Sequence, residues 1–448
     1  MAKITFYGGA GSVTGANFLL EVAGQRILVD CGTHEREHIC DPANHAPFAY
    51  DASTIDVLIV THAHQDHIGR VPKLLKEGFK GVIYSTPATR DLSAIMFDDA
   101  INVMHHEAEK SGCTPIYEKL DSDAALERWQ THEYHELFSV GGITVEFLDA
   151  GHILGSALVK LSPNGRVIIF SGDLGNTPEP LLHDTESPAG ANYLVMESVY
   201  GDRVHEGREN RIEALREAID DARGRHGTLL VPSFSIERTQ IILYEIHKMI
   251  AEGTLAPIPI FLDAPLAIRV TDVFRKYRTI LNADAQADFL KGDIFTFSGL
   301  TVVQGYDKTF AHTHGAKVII AGAGMSSGGR IRSHEKHYLP DKNASVLFTG
   351  YQSPGSLGRR IQDGEKTVQI DGEAVHVRAR ISSLSGYSGH ADRDGLLSFA
   401  DAAGPSLEKV FVVMGEPKAS GFLGQRIKDF LGVAAMVPKQ GESCEIDF

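Results

Sequence analysis

The chain has 448 residues, 43% apolar and 23% charged, with a net charge of −15. That length exceeds the usual size of a single hydrophobic core and predicts two large domains of ordinary globular composition. The negative balance excludes a nucleic-acid binder that works by bulk positive charge alone, while leaving room for a local basic cleft.

The start, Met1 to Tyr7, enters a strand pattern directly rather than a signal peptide, and no apolar run approaches the ~18 residues of a membrane span. Cys31, Cys40, Cys113 and Cys444 are scattered without paired spacing, which predicts a reducing, cytoplasmic setting with neither a disulfide framework nor a Cys-ligated zinc. Short β-type runs follow at 3–7, 17–22, 26–30, 57–61, 143–148, 166–170 and 193–196, separated by Gly, Asn and Asp turns. One long helical stretch, about 88–110, interrupts them. From about residue 204 the texture becomes alternating helix and strand, with helices at 208–223, 236–251 and 331–338. Strands at 228–231, 258–262, 317–321 and 345–349 are short and almost wholly apolar, which indicates a parallel sheet covered on both faces. After about residue 384 the pattern shifts again to a helix at 392–402, a strand at 409–414, a helix at 419–431 and a strand near 434–437. The simplest account is one α/β domain inserted into another. The first domain is predicted at 1–203, the inserted domain at 204–383, and a C-terminal segment at 384–448 completes the first.

His62-Ala63-His64-Gln65-Asp66-His67 packs four metal-ligand side chains onto one turn, directly after the apolar strand Asp56–Thr61. Imidazole and carboxylate are the donors that zinc and its neighbours prefer. Three His and an Asp at these offsets are expected by chance in roughly a few chains per thousand of this composition. Asp30, His152 and Asp173 each follow a strand run and enter a tight Gly-containing turn, where a rigid sheet end can present a polar group.

In this order and spacing, Asp30, His62/His64/Asp66/His67, His152 and Asp173 resemble the metal motifs of the metallo-β-lactamase superfamily. Met196-Glu197-Ser198-Val199-Tyr200-Gly201 and Ser385 to Asp392 resemble the first two signatures of its β-CASP nucleases. The stretches 232–240, 261–267 and 324–330 also look like family sequence, and the likeness runs nearly end to end. It points to the compact bacterial and archaeal relatives of the endonuclease subunit of the cleavage and polyadenylation specificity factor. The resemblance implies an αββα metallo-β-lactamase sandwich with an inserted parallel-sheet α/β (β-CASP) domain. It also implies two zinc ions, one on His62, His64 and His152, the other on Asp66 and His67, with Asp173 bridging them. Asp30 would orient the ligands from behind. Asp66, Glu197 and His390 would be the catalytic groups, with His390 the general acid and Glu197 the carboxylate that orients it. The implied activity is hydrolysis of phosphodiester bonds in single-stranded RNA by a metal-bridging hydroxide, and the resemblance is compatible with a homodimer.

For the substrate, residues 321–360 hold six Lys or Arg against two Asp or Glu, with a Gly-rich turn ahead of a helix. Small residues and a helix start favour an anion, so Ser326, Gly328 and Arg330 are candidate phosphate contacts. One position departs from the family pattern. The third β-CASP signature usually has a His where Val413-Met414-Gly415-Glu416 places Met414. A thioether is a poor zinc ligand beside imidazole, so the second zinc is expected to bind weakly. The same departure keeps open a DNA nuclease, or an RNA-binding paralogue with impaired catalysis.

Overall fold

The computed structural model describes residues 1–34, 41–205, 207, 210–303, 305, 315–353 and 355–448. The chain forms two compact units, one from Met1–Val204 with His390–Phe448, the other from His205–Gly389. The expected boundaries at 203 and 383 lie one and six residues from these.

The first unit is built from two seven-stranded sheets. One runs in the order Ser443–Ile446, Ala2–Gly8, Asn17–Val22, Gln25–Val29, Val57–Ile59, Val82–Ser85, Trp129–Thr131. The other runs Ala434–Met436, Lys409–Val412, Tyr193–Met196, Ile168–Phe170, Ala157–Ser162, Ile143–Asp149, Phe138–Val140. Side chains alternate along a strand, and here both faces of the central strands of the second sheet are dry. Ile168, Phe170, Tyr193, Val195, Phe411 and Val413 pack inward with Phe6, Phe18, Ile27 and Val29 of the first sheet. Ile169, Leu194, Met196, Val410 and Val412 face the opposite way, onto Leu396, Phe399 and Ala400 of helix Arg393–Asp401 and Leu423 of helix Pro417–Arg426. Two buried faces explain why these strands read as unbroken apolar runs. The long helix Pro87–Ser111 starts at a Thr86 cap whose side chain accepts from the Thr89 N–H, and it ends at Gly112 with φ +74°.

In the second unit six strands pair in parallel, in the order Leu300–Val302, Ile260–Asp263, Lys317–Ala321, Thr228–Pro232, Ser345–Phe348, Arg380–Ser383. All strand residues from Lys317 to Ala321 and from Thr228 to Pro232 are buried, as central strands of a covered parallel sheet require. The architecture is therefore the expected sandwich with an inserted parallel-sheet α/β unit.

Two expectations change. Cys113 is disulfide-bonded, whereas Cys31 and Cys444 are free. The scattered spacing speaks against a framework of several disulfides and does not register this single bond; Cys40 lies outside the described residues. The helix expected from residue 208 begins at Arg211, and residues 208 and 209 are likewise outside the described set. Among the described residues no helix is long and apolar enough to cross a membrane.

Candidate metal centre

The candidate ligands leave the ends of separate strands and converge. Asp30 follows strand Gln25–Val29, the 62–67 turn follows Val57–Ile59, His152 follows Ile143–Asp149, Asp173 follows Ile168–Phe170, and Glu197 follows Tyr193–Met196. The Asp30 turn passes directly under the 62–67 segment. Gly32 is needed there, because a Cβ on it would stand 1.5 Å from the Asp66 carbonyl oxygen.

Donor atoms of His62, His64, His152 and Asp173 form one cluster, and those of Asp66, His67 and Asp173 form a second. In the first, His62 Nε2 lies 3.1 Å from His64 Nδ1, and His152 Nε2 lies 3.2 Å from His64 Nδ1. Asp173 Oδ2 is 3.4 Å from His62 Nε2 and 3.5 Å from His152 Nε2. A tetrahedral ion with ligands at ~2.0–2.1 Å needs donor separations of about 3.3 Å, so the spacing fits a metal without rearrangement. In the second cluster, His67 Nε2 is 3.3 Å from Asp173 Oδ1 and 3.8 Å from Asp66 Oδ2. His67 Nε2 and Asp173 Oδ1 are buried with no hydrogen-bond partner. Two orphaned donors facing one another beneath the surface are what a cation would satisfy.

The surrounding groups set the tautomers. Asp30, at φ +59°, accepts hydrogen bonds from the Thr61 N–H at 2.8 Å and the Thr61 hydroxyl at 2.8 Å. Its Oδ2 lies 2.7 Å from His67 Nδ1, which places a ring proton there and leaves Nε2 facing the second cluster. Burial, then neighbouring imidazoles, hold His64 and His152 well below the usual histidine range, so both rings are neutral and fit to ligate. Burial would raise the Asp173 carboxyl, but His67 and His62 outweigh it and hold the group well below the carboxylate range. Thr61, which binds Asp30 through both its N–H and its hydroxyl, does not stand out in the sequence pattern. Its only mark there is a hydroxyl directly before the first His of the motif.

Beside the clusters stands a carboxylate–imidazole pair. Glu197 is fully buried; its Oε1 accepts the Leu174 N–H at 2.6 Å and lies 3.2 Å from His390 Nδ1. His390 is pinned by a β-bridge to Gly175 and by the Ala391 N–H donating to the Leu174 carbonyl at 2.8 Å. Burial depresses the His390 imidazole, but the Glu197 charge and hydrogen bond, followed by Asp173, override it and push the pKa up to about 9. Burial likewise pushes Glu197 up against the pull of His390. One proton is therefore held in the pair at neutral pH. His390 Nδ1 is also 3.9 Å from Asp173 Oδ2, and its ring lies 4.6 Å from that of His152.

Met414 accepts the Ser198 N–H on its carbonyl at 3.2 Å, one residue along from Glu197. It is buried in the inter-sheet core beside Phe18, with its N–H donating to the Gly9 carbonyl at 2.6 Å. A Cβ on Gly9 would stand 2.5 Å from Met414 Sδ, so the thioether occupies the space over that glycine. Glu416 is exposed and belongs to neither cluster.

The three candidate phosphate contacts lie in the inserted unit. The buried Ser326 hydroxyl donates to Glu335 Oε1, whose carboxyl is pushed by burial up to about 8. Arg330 pairs with Asp263, which also lies 2.8 Å from His334 Nε2. The Gly328 carbonyl accepts the Ala323 N–H at 3.3 Å. The positive surplus read along residues 321–360 is largely neutralised in space, because Arg332 pairs with Asp371, Lys336 with Glu373, Arg359 with Asp363 and Arg360 with Glu365. All four of those carboxylates lie beyond the counted segment.

Comparison with known proteins places this geometry in context. Residues 19–196 match the metallo-beta-lactamase superfamily domain, residues 239–361 the Beta-Casp domain, and residues 374–438 the Zn-dependent metallo-hydrolase RNA specificity domain. The chain is 36% identical to ribonuclease TTHA0252 of Thermus thermophilus, over 94% of this chain and 95% of that protein. It is 30% identical to transcription termination factor FttA of Methanosarcina mazei, over 93% of this chain and 67% of that protein. A crystal structure of a protein of unknown function from Enterococcus faecalis aligns over 99% of both chains with a TM-score of 0.63 and 13% identity, a likeness of fold alone.

Proposed function

The chain belongs to the β-CASP family of metallo-β-lactamase-fold hydrolases, and we propose that it is a zinc-dependent ribonuclease acting on single-stranded RNA. One observation carries this reading: Asp173 is shared by two converging donor clusters and stands 3.9 Å from His390 of the Glu197 pair. That arrangement brings a site for two cations and a proton donor to the same place. The named ribonuclease relative, matched along nearly its whole length, supports RNA over DNA as substrate. It also weighs against an impaired RNA-binding paralogue, as does the survival of every candidate ligand.

His62, His64, His152 and Asp173 would hold one zinc, and Asp66, His67 and Asp173 the other. Bound there, the metal supplies water of lowered pKa at neutral pH and positive charge against the phosphate oxygens. The protein's own groups do the rest. Asp30 and Thr61 fix the His67 ring, so its Nε2 needs no reorientation. Glu197 holds His390 Nδ1, leaving the Nε2 proton for the departing ribose oxygen. The buried carboxylate keeps that proton in place at neutral pH, when an isolated imidazole would have lost most of it. Cleavage of labelled single-stranded RNA in preference to single-stranded DNA by the zinc-loaded protein tests the proposal.

The second zinc has three protein donors where the first has four, and Met414 is packed into the core. We expect it to be the weaker site. Met414→His would place an imidazole in an apolar setting, costing ~1–3 kcal/mol when the ring is unsatisfied. Zinc should recover that loss and bind the weaker site more tightly in the variant than in the native protein. Thermal unfolding and calorimetric titration with zinc measure both effects. Identical titrations of the two proteins would show that position 414 does not reach the metal.

A further inference from the structure

Within the inserted unit, Phe234 is a large apolar side chain left 36% exposed at a position the fold has otherwise made rigid. It follows strand Thr228–Pro232, at the carboxyl end of the parallel sheet. Its neighbour there is strand Lys317–Ala321, which ends in Gly322 to Gly324. The chain leaves Thr228–Pro232 toward Ile260–Asp263 on one side of the sheet and leaves Lys317–Ala321 toward Ser345–Phe348 on the other. Carboxyl ends whose connections diverge in this way form the crevice where doubly wound sheets take ligands.

The ring is seated rather than loose. Its Cδ2–Cε2 edge lies over Gly324 and Gly350, which come from two different strand ends. A Cβ on Gly324 would stand 2.5 Å from Cδ2, and one on Gly350 would stand 2.8 Å from Cε2. Neither glycine has a positive φ, so close approach of the ring, not backbone conformation, is what demands them. The buried side chain of Gln352 ties the notch together, donating to the Gly324 carbonyl at 3.0 Å and the Gly350 carbonyl at 3.2 Å. The Phe234 carbonyl is held in turn by the Thr239 hydroxyl at 2.8 Å and the Thr239 N–H at 3.2 Å. Burying the ring completely would have been the ordinary outcome for a phenylalanine among small residues. Three elements instead hold it in place with part of its surface open to solvent.

We propose that Phe234 is a base-stacking site for single-stranded RNA, seated in the Gly324–Gly350 notch and braced by Gln352. This rests on the ribonuclease reading above. The residues shown to seat the ring, Gly324 and Gly350 with Gln352 behind them, are uncharged, so the site is suited to the π-face of a base rather than to a phosphate. Stacking of this kind tolerates any base, which suits a binder of single strands without strict sequence preference.

The test compares kcat/KM on labelled single-stranded RNA with that on the same RNA carrying abasic sites, using the full zinc-loaded chain. The native enzyme should prefer the base-bearing strand by about ten-fold or more. Phe234→Ala should lose that preference, Phe234→Tyr should retain it, and Gly350→Ala, which displaces the ring while leaving it present, should reduce it. Thermal unfolding of each variant shows whether the fold survives. If Phe234→Ala discriminates base-bearing from abasic RNA as the native enzyme does, or if the native enzyme does not discriminate, the stacking site is overturned while the ribonuclease reading stands. Failure of the native protein to cut either RNA overturns that reading and the stacking site with it.

Discussion

Asp173→Ala is expected to reduce RNA hydrolysis by at least about 10³-fold, a little over 4 kcal/mol of transition-state stabilisation. Asp173 offers one oxygen to His62 and His152 and the other to His67, so a single truncation opens both donor clusters. The loss should appear in metal content as well as in rate, because the first cluster keeps three donors and the second only two. Metal analysis of the purified variant beside a cleavage assay checks both. Retention of more than a small fraction of native activity would contradict a mechanism that depends on the two sites together. The variant should still fold, since the carboxylate is held by groups of the site and the sheets beneath it pack through apolar contacts.

His390→Ala should lower turnover by roughly 10²–10⁴-fold, the usual worth of a positioned general acid. Metal content should be unchanged, and that separates the acid from a ligand. His390 does lie within ligand range of Asp173 and Glu197, so the point needs measuring. Glu197→Gln should give a smaller loss of the same kind, because the amide still orients the ring but no longer supplies the charge that holds its proton. Loss of metal in His390→Ala would make the residue a ligand, and an unchanged rate would make it structural.

Most of the candidate His/Asp cluster is legible in the chain because strand ends and tight turns leave strong local marks. The 62–67 cluster, Asp30, His152 and Asp173 each follow a strand whose last residues are buried. Their convergence, by contrast, depends on sheet order, which periodicity does not encode, and it came only through resemblance to a family. Several sheet-edge strands escaped notice, such as Trp129–Thr131, Phe138–Val140 and Ser443–Ile446. They are three or four residues long and carry no sustained alternation. Helix Pro265–Lys276 was missed although Pro265 marks its first turn, because its apolar positions are interleaved with charge. The phosphate expectation for Arg330 rested on counting charge along a segment. Its partner Asp263 lies 67 residues away in sequence, and no local count registers it. Thr61, Gln352 and the glycine notch beneath Phe234 act through close approach of distant segments, and that too is invisible until the chain is folded.

The central claim is tested most directly by stripping the protein of metal with a chelator and titrating zinc back. Cleavage of labelled single-stranded RNA and single-stranded DNA is then followed in parallel. The account predicts no cleavage by the stripped protein and recovery of RNA cleavage with one to two zinc ions bound per chain, the second more weakly than the first. DNA should be cut more slowly throughout. RNA cleavage undiminished in the stripped protein, or DNA cut at least as fast as RNA after zinc is restored, would contradict it.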